Sequence, residues 1–430
     1  MIEELRLQPL SWDALFALLL AVFAISVGYG IVLPILPYLV DRISGATDPA
    51  TSPWHTGLIT GTYILAIFLF APFWGKISDR WGRRPVLLTG LTGFAASVAL
   101  FARLESIPLV YLGRFFDGVF AAAIVPAAYA LIGDHAPSKE WRAHRFALIG
   151  VAGMLGFFVG PILGGLVLGT FKEPPTEAVA RAFSVLFLAT SALALIAALA
   201  IWRLVPRPVP GRQRRIAATN KHSDWSVMLR LWAIAFVTAV AVGAFEVGLS
   251  LRGRYELGMD ASQIGRMFAA CSLVMFAAQA LIFSPLVKPD STRWLFTPGV
   301  VTLALGLLAV PLATSDSATT AAVALVAASA GLLSPIVTYW VSLGAGETQG
   351  ADLGWATAAA SLGQALGSAA GGLLFGVTIL PGAAFTVTAV VVLSALVASF
   401  GLAQRLHGTG PRGAIASVPE ARASQRYLPH

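Results

Sequence analysis

Residues 75–85 read Gly-Lys-Ile-Ser-Asp-Arg-Trp-Gly-Arg-Arg-Pro, and long apolar runs precede and follow them. Five of these eleven residues are charged, and charged side chains are costly inside a lipid bilayer. Gly75 and Gly82 permit a tight reversal, and Pro85 suits the first turn of a helix. The stretch therefore predicts a short loop held at one surface of a membrane, between two spanning helices.

The composition agrees with a membrane protein. The chain has 430 residues, of which 57% are hydrophobic and 12% are charged, whereas soluble domains carry about 25% charged residues. The net charge of +8 comes from basic residues in short loops, so we expect no nucleic-acid partner. The single cysteine, Cys271, excludes an internal disulfide and argues against a metal cluster. The first apolar run is too long for a signal peptide, so we expect no cleavable one.

Twelve apolar runs are long enough for spanning helices, which need roughly 20 mostly apolar residues. The runs are continuous and rich in Ala, Leu and Gly, unlike the alternating strands of a membrane β-barrel. The predicted spans 1–12 cover residues 13–40, 56–75, 85–103, 107–133, 144–170, 180–204, 226–251, 263–287, 293–313, 317–343, 352–376 and 381–404.

Polar stretches divide the chain. The longest one between spans is basic and Pro-rich, which is typical of a linker. We therefore predict an N-terminal six-helix lobe at 1–205, a cytoplasmic linker at 206–225, a C-terminal six-helix lobe at 226–405 and a disordered cytoplasmic tail at 406–430.

The basic residues also predict the orientation, because Lys and Arg accumulate in cytoplasmic loops. With a cytoplasmic N-terminus, the inside segments hold 21 of the 29 basic residues and the outside segments hold seven; Arg114 lies within a span. We therefore expect a multi-pass protein of the cell (inner) membrane with both termini in the cytoplasm.

Two glycine ladders indicate an internal repeat. The glycines at 156, 160, 164 and 165 recur 207 residues later, at 363, 367, 371 and 372. Gly57 and Gly265 are 208 residues apart, and Pro126 and Pro335 are 209 apart. A near-constant offset across three pairs of spans predicts that the second lobe repeats the first, as in transporters built from parallel repeats.

The pattern G-x-x-x-D-R-x-G-R-R-P resembles the signature loop between spans 2 and 3 of the major facilitator superfamily. The resemblance covers about residues 10–405 and implies an all-α membrane protein, with twelve transmembrane helices in two six-helix pseudo-symmetric lobes. It also implies that the loop joins the acidic end of span 4 in a cytoplasmic latch. By position, the predicted latch residues are Gly75, Asp79, Arg80, Gly82, Arg84, Asp134 and Arg142. We expect Lys76 and Arg83 to be solvated anchors instead.

Span 4 carries Arg114 and Asp117, three residues apart and hence on one helix face. The stretch resembles the family pattern R-x-x-x-G, with Asp117 where that pattern often has Gln. One interpretation is a structural ion pair. The other is that Asp117 gains and loses a proton, while Arg114 stabilises its charged form in one of two states.

Glu246 lies inside span 7, at a predicted depth similar to that of Arg114. Spans 1, 4, 7 and 10 line the cavity in the family that the chain resembles. We therefore hypothesise that Arg114, Asp117 and Glu246 face one another as a proton and substrate site. The alternative is that Glu246 reaches water close to Arg252.

Two further motifs favour export. Span 5 contains G-x-x-x-G-P-x-x-G-G, formed by Gly156, Gly160, Pro161, Gly164 and Gly165. It resembles the antiporter motif of drug:proton exporters, although close helix packing alone also explains its glycines. The stretch GYGIVLPILP at 28–37 resembles the first-span signature of drug and tetracycline exporters, without the acidic residue that some of them carry. Possible cavity residues are Gly28, Tyr63, Gln279, Tyr339, Trp340 and Gln364.

These motifs predict a secondary active transporter that exports small amphipathic compounds in exchange for protons. The sequence contains no catalytic constellation and no nucleotide-binding loop, so we expect neither an enzyme nor a bound cofactor or metal. The proton gradient is the predicted energy source, and the predicted partners are a small-molecule substrate, protons and the lipid bilayer, with the protein as a monomer. Two alternatives stay open: proton-symport uptake of a sugar or metabolite, and a membrane receptor or scaffold that transports nothing.

Overall fold

The structure is a computed structural model. It describes residues 9–44, 52–101, 103, 106–169, 176–206, 225–282, 287, 289–344, 349–377 and 382–406. The predicted linker and the predicted tail lie almost wholly outside these residues.

Twelve helical spans, long and apolar enough to cross a membrane, make up the described chain, and the described residues contain no β-strand. The predicted all-helical fold class is therefore confirmed. Spans 1–3 are Trp12–Ser44, Ser52–Trp81 and Arg83–Phe101, and span 4 consists of Ile107–Ala121 and Ile124–Asp134. Spans 5–8 are Lys139–Gly169, Thr176–Leu204, Trp225–Tyr255 and Ala261–Ile282. Spans 9–12 are Phe296–Leu312, Asp316–Gly344, Gln349–Phe375 and Ala383–Ser399, with a 3-10 helix Pro289–Leu295 before span 9 and a short helix Leu402–Arg405 after span 12.

The predicted loop at 75–85 is mostly helical, which corrects the sequence interpretation. Span 2 continues to Trp81 and span 3 begins at Arg83, so Gly82 alone separates the two helices. Gly82 has a φ of 93°, a conformation that favours glycine because it has no Cβ. A charged segment at a membrane surface can stay helical in water, and only this glycine is needed to reverse the chain. The end of the bundle that carries this turn is called the basic end below, and the other is called the far end.

Span 4 is interrupted at Ala122 and Ala123. The break has a local cause: Pro126 follows four residues after Ala122, and a proline ring clashes with the carbonyl group four residues before it. The interruption separates a first segment that holds Arg114 and Asp117 from a second segment that ends at Asp134.

The apolar side chains form two cores. One core draws its buried residues from spans 1–6, together with Ala261 and Ala365. The other draws them from spans 7–12, together with Leu33. The chain therefore folds as two six-helix lobes.

The glycine ladders bring two spans together within each lobe. A Cβ atom added at Gly156, Gly160 or Gly164 of span 5 would lie 2.6–2.8 Å from carbonyl oxygens of span 1, namely those of Phe23, Val27 and Ile31. In the second lobe, Gly363, Gly367 and Gly371 of span 11 meet the carbonyl oxygens of Phe236, Val240 and Ala244 of span 7. The two ladders thus pack in the same way, as small residues let helix backbones approach closely.

The remaining repeated glycines join the two lobes. A Cβ at Gly57 of span 2 would lie 2.7 Å from the Cα of Gly372 in span 11, and one at Gly165 of span 5 would lie 3.2 Å from the Cα of Gly265 in span 8. In the internal repeat, Gly57 occupies the position of Gly265, and Gly165 occupies the position of Gly372. The repeat therefore relates one crossing to the other. This equivalence supports the predicted pseudo-symmetry of the lobes.

Polar contacts also link the lobes at the far end. Asp41 of the first lobe accepts hydrogen bonds from Tyr255 Oη of the second lobe at 2.5 Å and from Ser52 Oγ at 2.7 Å. Arg254 pairs with Asp41 at 3.5 Å and lies over the ring of Tyr38, whose hydroxyl donates to Met259 O at 2.6 Å. We call Tyr38, Asp41, Ser52, Arg254, Tyr255 and Met259 the far-end clasp.

The basic end carries a belt of exposed tryptophans. Trp12, Trp81, Trp202, Trp225, Trp294 and Trp355 lie at or near helix ends there and are 52–70% exposed. Tryptophan side chains collect at the boundary between a bilayer and water. The belt therefore marks the level of the lipid headgroups at this end of the molecule.

Candidate functional site

A buried ion pair lies in the first segment of span 4. Arg114 and Asp117 are each 2% exposed, and Arg114 Nη1 donates to Asp117 Oδ2 at 3.3 Å. Within the described part of the chain, Arg114 Nε and Asp117 Oδ1 have no hydrogen-bond partner. The pair is therefore only partly satisfied, and it has capacity for a further donor and a further acceptor.

Two stacked tyrosines continue from this pair towards the second lobe. The guanidinium of Arg114 lies 4.2 Å from the ring centre of Tyr63 in span 2, a favourable cation–π arrangement. Tyr63 stacks on Tyr29 of span 1, with ring centres 5.3 Å apart. Tyr29 in turn stacks on Phe157 of span 5, with ring centres 5.9 Å apart.

Tyr29 connects the lobes through its hydroxyl group. It donates to Glu246 Oε2 of span 7 at 2.6 Å. Gln364 of span 11 donates to the same carboxylate oxygen at 3.3 Å and lies 3.4 Å from the Tyr29 hydroxyl. Glu246 is 6% exposed. We call Asp117, Arg114, Tyr63, Tyr29, Glu246 and Gln364 the central polar chain.

The hypothesis that three ionisable residues face one another needs revision in one respect. Arg114 and Asp117 form a pair, but Glu246 reaches them only through Tyr29 and Tyr63. The alternative in which Glu246 lies in water near Arg252 is wrong, because Glu246 is buried and bonded to Tyr29 and Gln364. Arg252 instead pairs with Glu256 and donates to Ala313 O.

Tyr29 was absent from the predicted site, although it lies inside the quoted first-span stretch, between Gly28 and Gly30. Its neighbour Gly28, which was predicted as a cavity residue, packs elsewhere: a Cβ there would lie 2.8 Å from Phe94 and 3.2 Å from Thr190, inside the first lobe. Adjacent residues on a helix point in directions about 100° apart. Because of this rotation, Tyr29 faces Glu246 of the second lobe, while Gly28 faces Phe94 and Thr190 of the first.

The other predicted cavity residues divide into two groups. Tyr63 and Gln364 belong to the central polar chain. Trp340 does not line a cavity, because it is fully buried and its indole donates to Thr292 Oγ1 at 3.0 Å, with the Tyr339 ring against its edge. Gln279 is half-buried in span 8 and, among the described residues, makes no hydrogen bond with the central polar chain.

The basic end holds the predicted latch residues, but a different arginine connects them. Arg83 donates to Asp79 Oδ1 at 2.5 Å and to Asp134 Oδ2 at 3.0 Å. The expectation that Arg83 is only a solvated anchor is therefore wrong. Because span 3 begins at Arg83, this side chain starts beside the end of span 2 and reaches the end of span 4.

The remaining latch residues have other surroundings. Arg80 is exposed, and Arg84 donates to Trp202 O at the end of span 6. Arg142 lies over the ring of Phe146, and a Cβ at Gly75 would meet no atom within 4 Å. The residues of the antiporter-like motif in span 5 take part in the helix contacts described above. The ring of Pro161 lies beside Gly30 of span 1, and the Pro161 carbonyl group meets Gly265 of the second lobe.

The central polar chain brings two carboxylates, two phenols, a guanidinium and an amide into the interior of the bundle. Such groups are rare within membrane spans and mark ion, proton or substrate pathways. The described residues contain no group of three or more His, Cys, Asp or Glu side chains arranged to hold a metal ion.

Comparisons with known proteins agree with this architecture. Residues 18–342 match the family model of the Major Facilitator Superfamily. The chain is 26% identical to multidrug resistance protein 2 of Bacillus subtilis, over 85% of this chain and 90% of that protein. It is 29% identical to the class C tetracycline resistance protein of Escherichia coli, over 70% of this chain and 74% of that protein. The fold is also similar to the crystal structure of the human organic anion transporter MFSD10. The alignment covers 91% of this chain and 100% of the transporter chain, with a TM-score of 0.68 and 22% sequence identity.

Proposed function

This chain belongs to the major facilitator superfamily and is therefore a membrane transporter rather than an enzyme, and we propose that it exports small amphipathic compounds in exchange for protons. The proposal rests above all on the hydrogen bond from Tyr29 to the buried Glu246. This bond joins a titratable carboxylate of one lobe to the other lobe at the centre of the bundle. The names of the resistance proteins that the chain resembles add support for drug-like substrates.

Alternating access follows from the same geometry. A motion that separates the lobes at their centre breaks the bond between Tyr29 and Glu246, so the surroundings of the carboxylate differ between the two states. A carboxylate whose surroundings alternate can bind a proton in one state and release it in the other. A proton that crosses 100 mV contributes about 2.3 kcal/mol to the cycle. In this proposal the protein acts as a monomer in the bacterial inner membrane, with the basic end in the cytoplasm and no bound cofactor.

The test compares two carboxylate variants with a matched control. Glu246→Gln and Asp117→Asn each remove a titratable group from the central polar chain. Glu256→Gln removes one from the far end of the molecule, where the side chain is half-exposed. In cells that make equal amounts of each protein, we expect Glu246→Gln to abolish protection against a panel of toxic compounds and Glu256→Gln to preserve it. Unchanged protection by both central variants would refute the proton coupling.

Proton symport with uptake of a sugar or metabolite is the second candidate. The central polar chain serves symport equally well, and the span 5 motif favours export. Inverted membrane vesicles separate the two directions: an exporter accumulates substrate when the vesicle interior is acidified, and a symporter releases it. Membership of a transporter family argues against the receptor or scaffold alternative.

A further inference from the structure

A basic cavity opens at the basic end, away from the central polar chain. It lies where the start of span 3 meets the end of span 6 and has a volume of about 500 Å³. Its lining consists of Arg84, Trp202, Arg203, Val205 and Pro206. Among the residues that the structure describes, two arginines and no acidic residue line it, so the cavity has the electrostatic character of an anion site.

The two arginines have unused donors. Arg84 donates one Nη group to Trp202 O, but its buried Nε has no hydrogen-bond partner within the described chain. Arg203 is exposed, and its guanidinium lies 5.9 Å from the ring centre of Trp202. Guanidinium groups match the geometry of phosphate oxygens and bind them with paired hydrogen bonds.

The surface that leads to the cavity is apolar. Leu188, Leu195, Leu199 and Trp202 of span 6 are 45–52% exposed, and their spacings of seven, four and three residues place them on one helix face. On a membrane span, such a face lies against acyl chains. Trp202 belongs to the belt at headgroup level, so the cavity lies where a lipid phosphate would be.

We propose that this cavity binds a phosphate group, that of an anionic phospholipid whose acyl chains lie along the exposed face of span 6. Basic pockets between membrane helices bind anionic headgroups in this way. The proposal is independent of the transported substrate and of proton coupling. Since Arg84 lies in the first turn of span 3 and Trp202 in the last turn of span 6, the bound lipid would also hold these two helix ends together.

Native mass spectrometry of the purified full chain provides the test, with phosphatidylglycerol or phosphatidylcholine added at equal concentration. We expect the wild-type chain to retain phosphatidylglycerol preferentially. Arg203→Gln should weaken this retention about five-fold, the order expected for one basic residue near an anionic headgroup. Arg203→Lys should retain most of it, and Arg84→Gln should lower it at least as much as Arg203→Gln does.

The matched control is Arg230→Gln. Arg230 also donates to a carbonyl oxygen near a helix end, that of Phe400, at 2.9 Å, but in the second lobe and outside the cavity. We expect it to leave lipid retention unchanged. Equal retention of the two lipids, or unchanged retention in both Arg203→Gln and Arg84→Gln, would overturn the proposal. If inorganic phosphate at millimolar concentration displaced the lipid and bound alone, the site would belong to a free anion and the lipid assignment would fail.

Discussion

Tyr29 donates its hydroxyl group to a carboxylate on the other lobe, and its ring stacks on Tyr63. Substitution of Tyr29 by Phe keeps the ring and removes only the hydroxyl group. A hydrogen bond to a charged group contributes about 1.5–3 kcal/mol to stability. We therefore expect Tyr29→Phe to lower the free energy of unfolding by an amount of this order, measured by thermal unfolding in detergent.

A double-mutant cycle with Glu246→Leu isolates the bond, because Tyr29→Phe should have little further effect once the acceptor is absent. Tyr129→Phe is the control, since among the described residues the Tyr129 hydroxyl has no hydrogen-bond partner while its ring packs on Phe146. Additive effects of Tyr29→Phe and Glu246→Leu would show that the two side chains are not coupled.

Substitutions of Arg114 and Asp117 distinguish the two interpretations of this pair, a structural ion pair and a proton-binding Asp117 beside Arg114. Asp117→Leu leaves a buried guanidinium without its partner, and breaking a buried pair costs about 3–5 kcal/mol. Replacement of both residues, by Met and Leu, removes both charges and should restore most of the stability. We expect the double variant to fold but not to transport. If the double variant transports normally in vesicles, the pair is structural only.

At this scale, sequence reasoning found the charged residues together with Tyr63 and Gln364, and it missed Tyr29, which joins the two lobes. Arg114, Asp117 and Glu246 stood out because charge is rare inside spans. Tyr29 did not stand out, since an aromatic residue in an apolar helix has no distinctive pattern. Its bond to Glu246 joins residues 217 positions apart, and it depends on the rotation and depth of two helices in different lobes. Arg83 was misjudged for a related reason, because its role depends on the helix beginning at that residue.

Among the elements, the glycine ladders of spans 5 and 11 set the distance between packed helices. A Cβ at Gly160 would lie 2.7 Å from Val27 O and 2.8 Å from Ile31 N, both backbone atoms of span 1. The backbone of span 1 cannot move aside as a side chain can, so spans 1 and 5 must separate. We expect Gly160→Ala to lower the free energy of unfolding by about 1–3 kcal/mol, the usual cost of overpacking, measured by thermal unfolding.

Gly150→Ala is the matched control in the same helix. A Cβ at Gly150 meets no atom within 4 Å, and Ala is favoured over Gly within a helix by about 1 kcal/mol. This variant should therefore be neutral or stabilising. The repeat supplies a second test, because Gly367→Ala in span 11 should behave as Gly160→Ala does. Equal effects of Gly150→Ala and Gly160→Ala would contradict the packing argument.

The spacing of these glycines was sufficient to predict the repeat and the close approach of helices. It did not reveal which glycines face a neighbour within the lobe and which face the other lobe. That division depends on adjacent positions: Gly164 packs on span 1, and Gly165 packs on span 8. A single sequence does not show which side of a helix a given neighbour occupies.

In the whole molecule, the far-end clasp is a polar link between the lobes that an opening at the far end must break. Tyr255→Phe removes the 2.5 Å hydrogen bond to Asp41 and keeps the ring. We expect it to shift the population towards a state that is open at the far end. Spin labels at Trp54→Cys and Leu257→Cys, in a Cys271→Ser background, would report this shift as a longer distance between the lobes.

Tyr111→Phe serves as the control for this measurement. The Tyr111 hydroxyl lies 3.1 Å from His55 Nδ1, and both residues belong to the first lobe. Loss of this contact should leave the distance between the two labels unchanged. A distance distribution that is identical in wild type and Tyr255→Phe would refute a role for the clasp in holding the far end closed.

The crossings at Gly57–Gly372 and Gly165–Gly265 have a kinetic consequence. Glycine has no side chain, so no side chains interdigitate where these glycines meet. The lobes can therefore tilt about the two crossings without any rotamer change at the four glycine positions. The activation barrier for reorientation should then come mainly from a small number of hydrogen bonds, which water can replace as they break. The height of such a barrier depends weakly on how bulky side chains fit together. Substitutions on the membrane-facing surface should therefore change the turnover rate little.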